Sequence, residues 1–212
     1  MSQDQAKQNA AKEALEFITP QCILGIGTGS TVNYFIDLLA PIRNKIEVCV
    51  SSSKESTKRL QALNIPVTEL NQIQQLDLYI DGADEVDPFK NLIKGGGGAH
   101  TLEKLLALNA RTFVCIVDNL KCVPFLGNFP VPVEVLPAAR SYVARELIKL
   151  GAQPVYRENF ITDCGNIILN AVRLPLNDPL TMEATIKGIT GVVEVGIFAK
   201  RRPEHLVIGS ES

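Results

Sequence analysis

Histidine is scarce in this sequence of 212 residues: only His100 and His205 are present, far apart in the chain, and tryptophan is absent. The two histidines form no H-E-x-x-H helix and no cluster, which argues against a zinc centre built on histidine and against a histidine-based nucleophile triad. Cysteine is limited to Cys22, Cys49, Cys115, Cys122 and Cys164, an odd number with no C-x-x-C pair. Cys22, Cys49 and Cys115 sit inside apolar, strand-like runs, where a thiol behaves as a small hydrophobe. The five therefore read as reduced thiols of a cytoplasmic protein. No apolar run approaches the ~20 residues that a membrane span needs. The opening Met1-Ser2-Gln3-Asp4-Gln5 has no apolar core of a secretory signal. A strong charge of either sign is missing too, the formal net charge being -2. That balance gives no electrostatic reason to bind nucleic acid or an anionic membrane. The only basic run, Lys200-Arg201-Arg202, reads as a solvated turn between strands. Internal repeats and low-complexity segments are absent as well.

What remains is 46% apolar residues, enough for one large domain, or a main domain with a small one. Ser2 and Gln5 form a capping box ahead of a helix whose apolar stripe is Ala10, Ala14, Phe17 and Ile18, with Pro20 beyond its end. Strands are expected at 22–26, 46–50, 65–67, 76–80 and 112–117. Helices should follow residues 27–31, the cap Ser51-Ser52-Ser53, and the glycines at 95–98. Strands that alternate with helices make a parallel sheet covered on both faces. Pro124, Pro130 and Pro132 mark a change of pattern. Beyond them the order is strand 131–135, helix 138–150, strand 153–157, strand 166–172, helix 180–187 and strand 192–198, with a hairpin turn at 162–165. That is the split βαβ of ferredoxin-like domains. A last strand at 205–208 can return to the main sheet. The expected fold is α/β, a Rossmann-like parallel-sheet domain (1–128 and 200–212) with an inserted smaller α+β, ferredoxin-like domain (129–199).

Three stretches carry chemistry. Gly25-Ile26-Gly27-Thr28-Gly29-Ser30-Thr31, between a strand and a helix, can cradle a phosphate on backbone N–H groups, the helix N-terminus and the hydroxyls of Thr28, Ser30 and Thr31. It lacks the third glycine of the dinucleotide fingerprint and the Gly-Lys-Ser/Thr of a Walker loop. A phosphate monoester suits it best, with a nucleotide or a plain tight turn as alternatives. Asp81, Gly82, Ala83, Asp84 and Asp87 follow the strand at 76–80, where open α/β sheets bind ligands. Their carboxylates suit sugar hydroxyls or proton transfer; a divalent cation or turn chemistry would also use them. Lys94 precedes Gly95, Gly96, Gly97 and Gly98. Glycine costs ~0.5–1 kcal/mol against alanine in regular structure, so four in a row point to close approach of backbone to a ligand, or else to a linker. Lys94 can supply positive charge to a developing oxyanion. Glu103 follows in the first turns of a helix, whose dipole favours the carboxylate. Asp118 and Lys121 end the strand at 112–117 on the same rim, and Lys121 can meet a phosphate.

Residues 27–31, Asp81-Gly82-Ala83-Asp84-Glu85, Lys94 with the glycines and Ala99, Glu103-Lys104 and Phe129-Pro130-Val131-Pro132-Val133-Glu134-Val135 together closely resemble ribose-5-phosphate isomerase, type A family, collinearly from the first helix to about Gly209. The resemblance implies interconversion of D-ribose 5-phosphate and D-ribulose 5-phosphate in the pentose phosphate pathway, with no metal or organic cofactor. The scarcity of histidine agrees in arguing against a metal-assisted hydride shift. It implies a phosphopentose as the small-molecule partner and a homodimer or larger homo-oligomer. It further implies Glu103 as the proton-transferring base, Asp81 and Asp84 on the sugar and its ring opening, and Lys94 at the enediolate. Thr28, Gly29, Ser30, Thr31, Gly82, Ala83, Gly95, Gly96, Gly97 and Lys121 would line the substrate site, with Lys7 near the phosphate. The sequence departs from the family pattern at His100, Leu102 and Leu120.

Overall fold

A computed structural model describes residues 2–209 of the chain. These fall into two compact units, the first within Met1–Ala83, Leu102–Cys122 and Pro203–Ser212, the second within Asp84–Thr101 and Val123–Arg202.

The first unit begins with helix α1 (Gln3–Glu13), where the Ser2 hydroxyl accepts from the Gln5 N–H as a capping residue should. The Gln5 side chain bonds Asn9 instead of closing the capping box. Strand β1 (Cys22–Ile26), helix α2 (Ser30–Asp37), strand β2 (Ile46–Ser51), helix α3 (Lys54–Ala62) and strand β3 (Leu76–Asp81) follow. Pro66 cannot donate to a ladder. The expected strand at 65–67 is accordingly reduced to one bridge, Val67 with Cys49. Helix α4 (His100–Asn109) leads into β6 (Ala110–Asp118), and β12 (His205–Gly209) returns to pair with it in parallel. The five-stranded sheet has the order β12-β6-β3-β1-β2. In chain order that is 2-1-3-4-5, a doubly wound sheet whose direction of winding reverses between β1 and β3. The gap left by that reversal is where such sheets bind ligands. The core joins Ala10, Ala14 and Ile18 to Leu24, Ile26, Phe35, Ile36, Leu60, Leu78, Ile80 and Val114, so the amphipathic stripe read in the first helix is buried on the sheet.

The second unit holds two antiparallel sheets. β7 (Val131–Val135), α5 (Arg140–Lys149), β8 (Gln153–Tyr156), β9 (Ile167–Val172), α6 (Pro179–Lys187) and β10 (Val192–Val195) form the split βαβ, with strand order β10-β7-β9-β8. The smaller sheet, β11-β5-β4, contains β4 (Glu85–Val86), β5 (Leu92–Ile93) and β11 (Ile197–Phe198). The expected single strand at 192–198 divides at Gly196. There the Gly196 N–H donates to Pro132 O at 2.7 Å and the Gly196 carbonyl accepts from the Lys94 N–H at 2.9 Å. One residue thus passes the chain from one sheet to the other. Among the described residues no helix is long and apolar enough to cross a membrane.

Candidate active site

In a parallel sheet all strands finish at one edge, so the ends of β1, β3 and β6 carry residues 27–31, Asp81 and Lys121 to the same rim of the first unit. Asp81 is fully buried. Its Oδ1 accepts from the Thr28 N–H at 3.2 Å and the Gly82 N–H at 2.7 Å. Its Oδ2 accepts from the Tyr79 hydroxyl. A Cβ on residue 27 would lie 1.9 Å from Asp81 Cγ, so glycine is the residue that admits this carboxylate beside the loop. The loop is braced from α3 as well. Ser53 caps that helix by accepting from the Ser56 N–H, its hydroxyl lies 3.1 Å from that of Thr28, and the Ser56 hydroxyl donates to Gly27 O at 2.7 Å. Gly29 is the N-cap of α2 at φ 120°, which leaves the first-turn N–H groups of Ser30 and Thr31 at the helix's positive end.

Tyr79 was not singled out by the sequence, where it reads as one more apolar strand residue. Burial pushes its phenol well above 10.0, and the charges of Asp81 and then Glu103 push it further. Both carboxylates therefore act on one buried phenol. Glu103 is 3% exposed in the first turn of α4. Lys121 is half-buried in a short turn after β6, capped by Asp118 accepting from the Leu120 N–H at 3.0 Å.

The other predicted residues belong to the second unit. The β4–β5 hairpin is extended by the Asp84 N–H donating to Ile93 O at 2.8 Å, which sets Asp84 beside the strand that delivers Lys94. Lys94 is 3% exposed, with its ammonium 5.6 Å from the Phe198 ring centroid. Burying a charged amine is costly, and the aromatic face offsets part of that cost. Asp84 Oδ2 accepts from the Gly96 N–H at 2.8 Å. Asp87, which could have joined a cation site, instead builds the hairpin turn, accepting from the N–H groups of Phe89 and Asn91 and from the Asn91 side chain. Among the described residues no three His, Cys, Asp or Glu side chains are grouped so as to hold a metal ion.

The glycine run is packed against its neighbours at 95, 96 and 98, although Gly96 and Gly97 are exposed, and is no linker. A Cβ at 95 would meet His100 Nδ1 at 2.6 Å, one at 96 would meet Asp84 Oδ1 at 2.7 Å, and one at 98 would meet Phe160 Cζ at 2.3 Å. Gly95 and Gly98 also have φ of +102° and +79°. The departure at His100 is thereby placed: a fully buried ring packed beneath Gly95, with Nε2 3.3 Å from Glu194 O. Arg157 also escaped the sequence reading. It donates to Gly96 O at 3.1 Å and to Asn170 Oδ1 at 2.9 Å. No local motif announces it, because it lies 61 residues from the glycine it holds.

Comparison with known proteins agrees with the fold. The family model of ribose 5-phosphate isomerase A (phosphoriboisomerase A) matches residues 48–212. The crystal structure of ribose 5-phosphate isomerase A from Neisseria gonorrhoeae is 47% identical, with a TM-score of 0.97 over 99% of this chain and 94% of that one. A D-ribose-5-phosphate isomerase in complex with phospho-erythronic acid is 41% identical, with a TM-score of 0.94 over 99% and 96%. The enzyme from Methanocaldococcus jannaschii is 35% identical, with a TM-score of 0.93 over 99% and 96%. On the matched family model, and on relatives 35% and 47% identical along nearly its whole length, the chain belongs to the ribose 5-phosphate isomerase A family.

Proposed function

We propose that Glu103, Asp81, Asp84 and Lys94 carry the chemistry of this enzyme, and that residues 28–31 with Lys121 hold the phosphate of its substrate. As a member of its family the chain is an aldose–ketose isomerase that interconverts D-ribose 5-phosphate and D-ribulose 5-phosphate. The reaction moves a proton between C1 and C2 through an enediolate. One carboxylate must remove the C2 proton and return it to C1, while positive charge and N–H donors meet the oxygens as they become anionic. Glu103 is the base in this reading. Asp81 and Asp84 accept hydrogen bonds from the sugar and pass protons during ring opening, and Lys94 stabilises the enediolate oxygen. General acid–base catalysis contributes ~10²–10⁴-fold. One preorganised oxyanion donor is worth about 3 kcal/mol.

The observation that carries the reading is Asp81 at the switch point of the sheet, buried and held by the Thr28 N–H of the phosphate-loop candidate. That contact sets a sugar-binding carboxylate next to an anion-binding loop. The ligand of one relative, phospho-erythronic acid, supports it further. A phosphorylated sugar acid has a planar carboxylate where an enediolate carries its planar, anionic oxygens. The test is Glu103→Gln: isomerisation should fall by at least ~10²-fold while ribose 5-phosphate still binds by titration calorimetry. Near-normal turnover in that variant would remove Glu103 from its role.

The working form in this proposal is a homodimer or larger assembly in the cytoplasm. Phe89 and Phe125, 74% and 81% exposed, are rings that a second copy would cover. Among the described residues no two cysteines form a disulfide, and Cys122 and Cys164 lie on the surface, as suits a reducing compartment. A single-chain mass by sedimentation at micromolar concentration would contradict the assembly.

A further inference from the structure

The glycine run presents its backbone to a ligand only if something else fixes which way each peptide faces. Glycine does not do so alone, because it populates both signs of φ about equally. The second unit supplies that something in Arg157. Its backbone continues the β8–β9 pairing through an N–H donated to Ile168 O at 3.0 Å. Its guanidinium donates to Gly96 O at 3.1 Å, to Gly95 O at 3.5 Å and to Asn170 Oδ1 at 2.9 Å, and lies 5.1 Å from the Phe160 ring centroid. The same Phe160 ring fills the space against Gly98. Arginine and phenylalanine from one hairpin thus grip three of the four glycines.

In a planar trans peptide the C=O and the following N–H point in opposite directions. The Gly95 carbonyl accepts from the Gly98 N–H at 2.9 Å and from Arg157 at 3.5 Å, so the Gly96 N–H points the other way, where it donates to Asp84 Oδ2 at 2.8 Å. Drawing the Gly96 carbonyl to the same cation turns the Gly97 N–H away from it, in the exposed part of the run. We propose that Arg157 is a positioning residue for the isomerisation: by holding the Gly96 carbonyl, and sharing the Gly95 carbonyl with the Gly98 N–H, it keeps the Gly96 N–H on Asp84 and aims the Gly97 N–H outward toward substrate. The inference rests on the reading that Asp84 and the glycine run serve the sugar. Only a planar fork fits the task, since two carbonyls and Asn170 are met by one group stacked on a ring. A lysine ammonium is a point charge and cannot span them.

The experiment compares Arg157→Ala, Arg157→Lys and Glu103→Gln for kcat and KM with ribose 5-phosphate, for thermal midpoint, and for rescue by millimolar guanidinium. Arg157→Ala should lose kcat on the order of 10²-fold, the usual consequence of misplacing a reacting geometry by about 1 Å, with a much smaller change in KM. Guanidinium should restore several-fold of that loss, and Arg157→Lys should remain impaired. A merely structural arginine would give a lowered melting point with no selective fall in kcat and no rescue. Either Arg157→Ala or Arg157→Lys with kcat within twofold of the parent overturns the inference. If Arg157→Ala fails to fold, the Arg157→Lys result decides. Turnover retained in Glu103→Gln would instead count against the assigned base, whatever Arg157 shows.

Discussion

Asp81 and Asp84 are three residues apart and are held by different means. Asp81 ends a central strand, is fully buried, and takes its hydrogen bonds from Tyr79, Thr28 and Gly82, all set by the parallel sheet. Asp84 precedes a two-residue strand, is half-buried, and accepts from the Gly96 N–H, a peptide oriented by the Gly98 N–H and Arg157 on the Gly95 carbonyl. Regular secondary structure therefore positions the first carboxylate, and irregular backbone with a long-range side-chain brace positions the second. Damage to the Asp81 region should appear as lost stability as well as lost rate. Damage around Asp84 should appear as lost rate.

The largest effect that sharpens this contrast is Lys94→Ala. If Lys94 serves the enediolate as proposed, kcat should fall by ~10²–10³-fold in steady-state assays. A fall of less than threefold would detach Lys94 from the chemistry. Next comes the same small change made in both regions. Gly27→Ala sets a methyl 1.9 Å from a buried carboxylate carbon that cannot retreat, and should cost about 1–3 kcal/mol in urea unfolding. Gly96→Ala meets only the tip of half-buried Asp84, at 2.7 Å, which can swing away. Its unfolding midpoint should stay near the parent while kcat drops by ~10-fold or more. The opposite pattern, a stable Gly27→Ala and an unfolded Gly96→Ala, would break the comparison.

Tyr79→Phe is smaller. It removes one donor from the buried Asp81 and should cost ~1–3 kcal/mol near neutral pH. The phenol's pKa is raised in the folded state, by burial first and then by Asp81 and Glu103. Its contribution is therefore complete below 10.0, the unfolded value, and lost as pH rises from there toward the folded value. Cys22 behaves in the same sense, pushed up from 9.0 to about 11 by burial and the charge of Asp77. Melting temperatures should be flat up to about pH 9 and then fall, more gently above pH 10 in Tyr79→Phe than in the parent. Equal slopes would show that Tyr79 does not titrate with unfolding.

The contrast also explains what could be read from the sequence. β1 and β7 have the bounds expected from apolar runs flanked by Pro20, Pro130 and the following polar turns, and Asp81 follows directly from the strand before it. Tyr79 lies in a strand buried on both faces, where no alternation marks which residue carries a polar task. The β4–β5 hairpin escaped because two-residue strands have too little pattern, and the carboxylates within it look like ligands before they look like the Asp87 turn. Arg157 reads as the end of a strand; only the fold brings it to Gly96. Lys94 and the glycines stand out in the sequence because such a composition is costly in regular structure. Their orientation does not, since it draws on Asp84 and on Arg157, 61 residues from Gly96.

A carboxylate that moves the proton through an enediolate exposes that proton to exchange with solvent. Isomerisation run in D₂O, with C1 and C2 of both pentose phosphates followed by NMR, reports the exchange. Solvent deuterium should appear at C1 of ribulose 5-phosphate and at C2 of recovered ribose 5-phosphate, and both signals should vanish in Glu103→Gln. Product that carries no solvent deuterium, its C1 hydrogen transferred whole from C2, would contradict proton transfer through the enediolate.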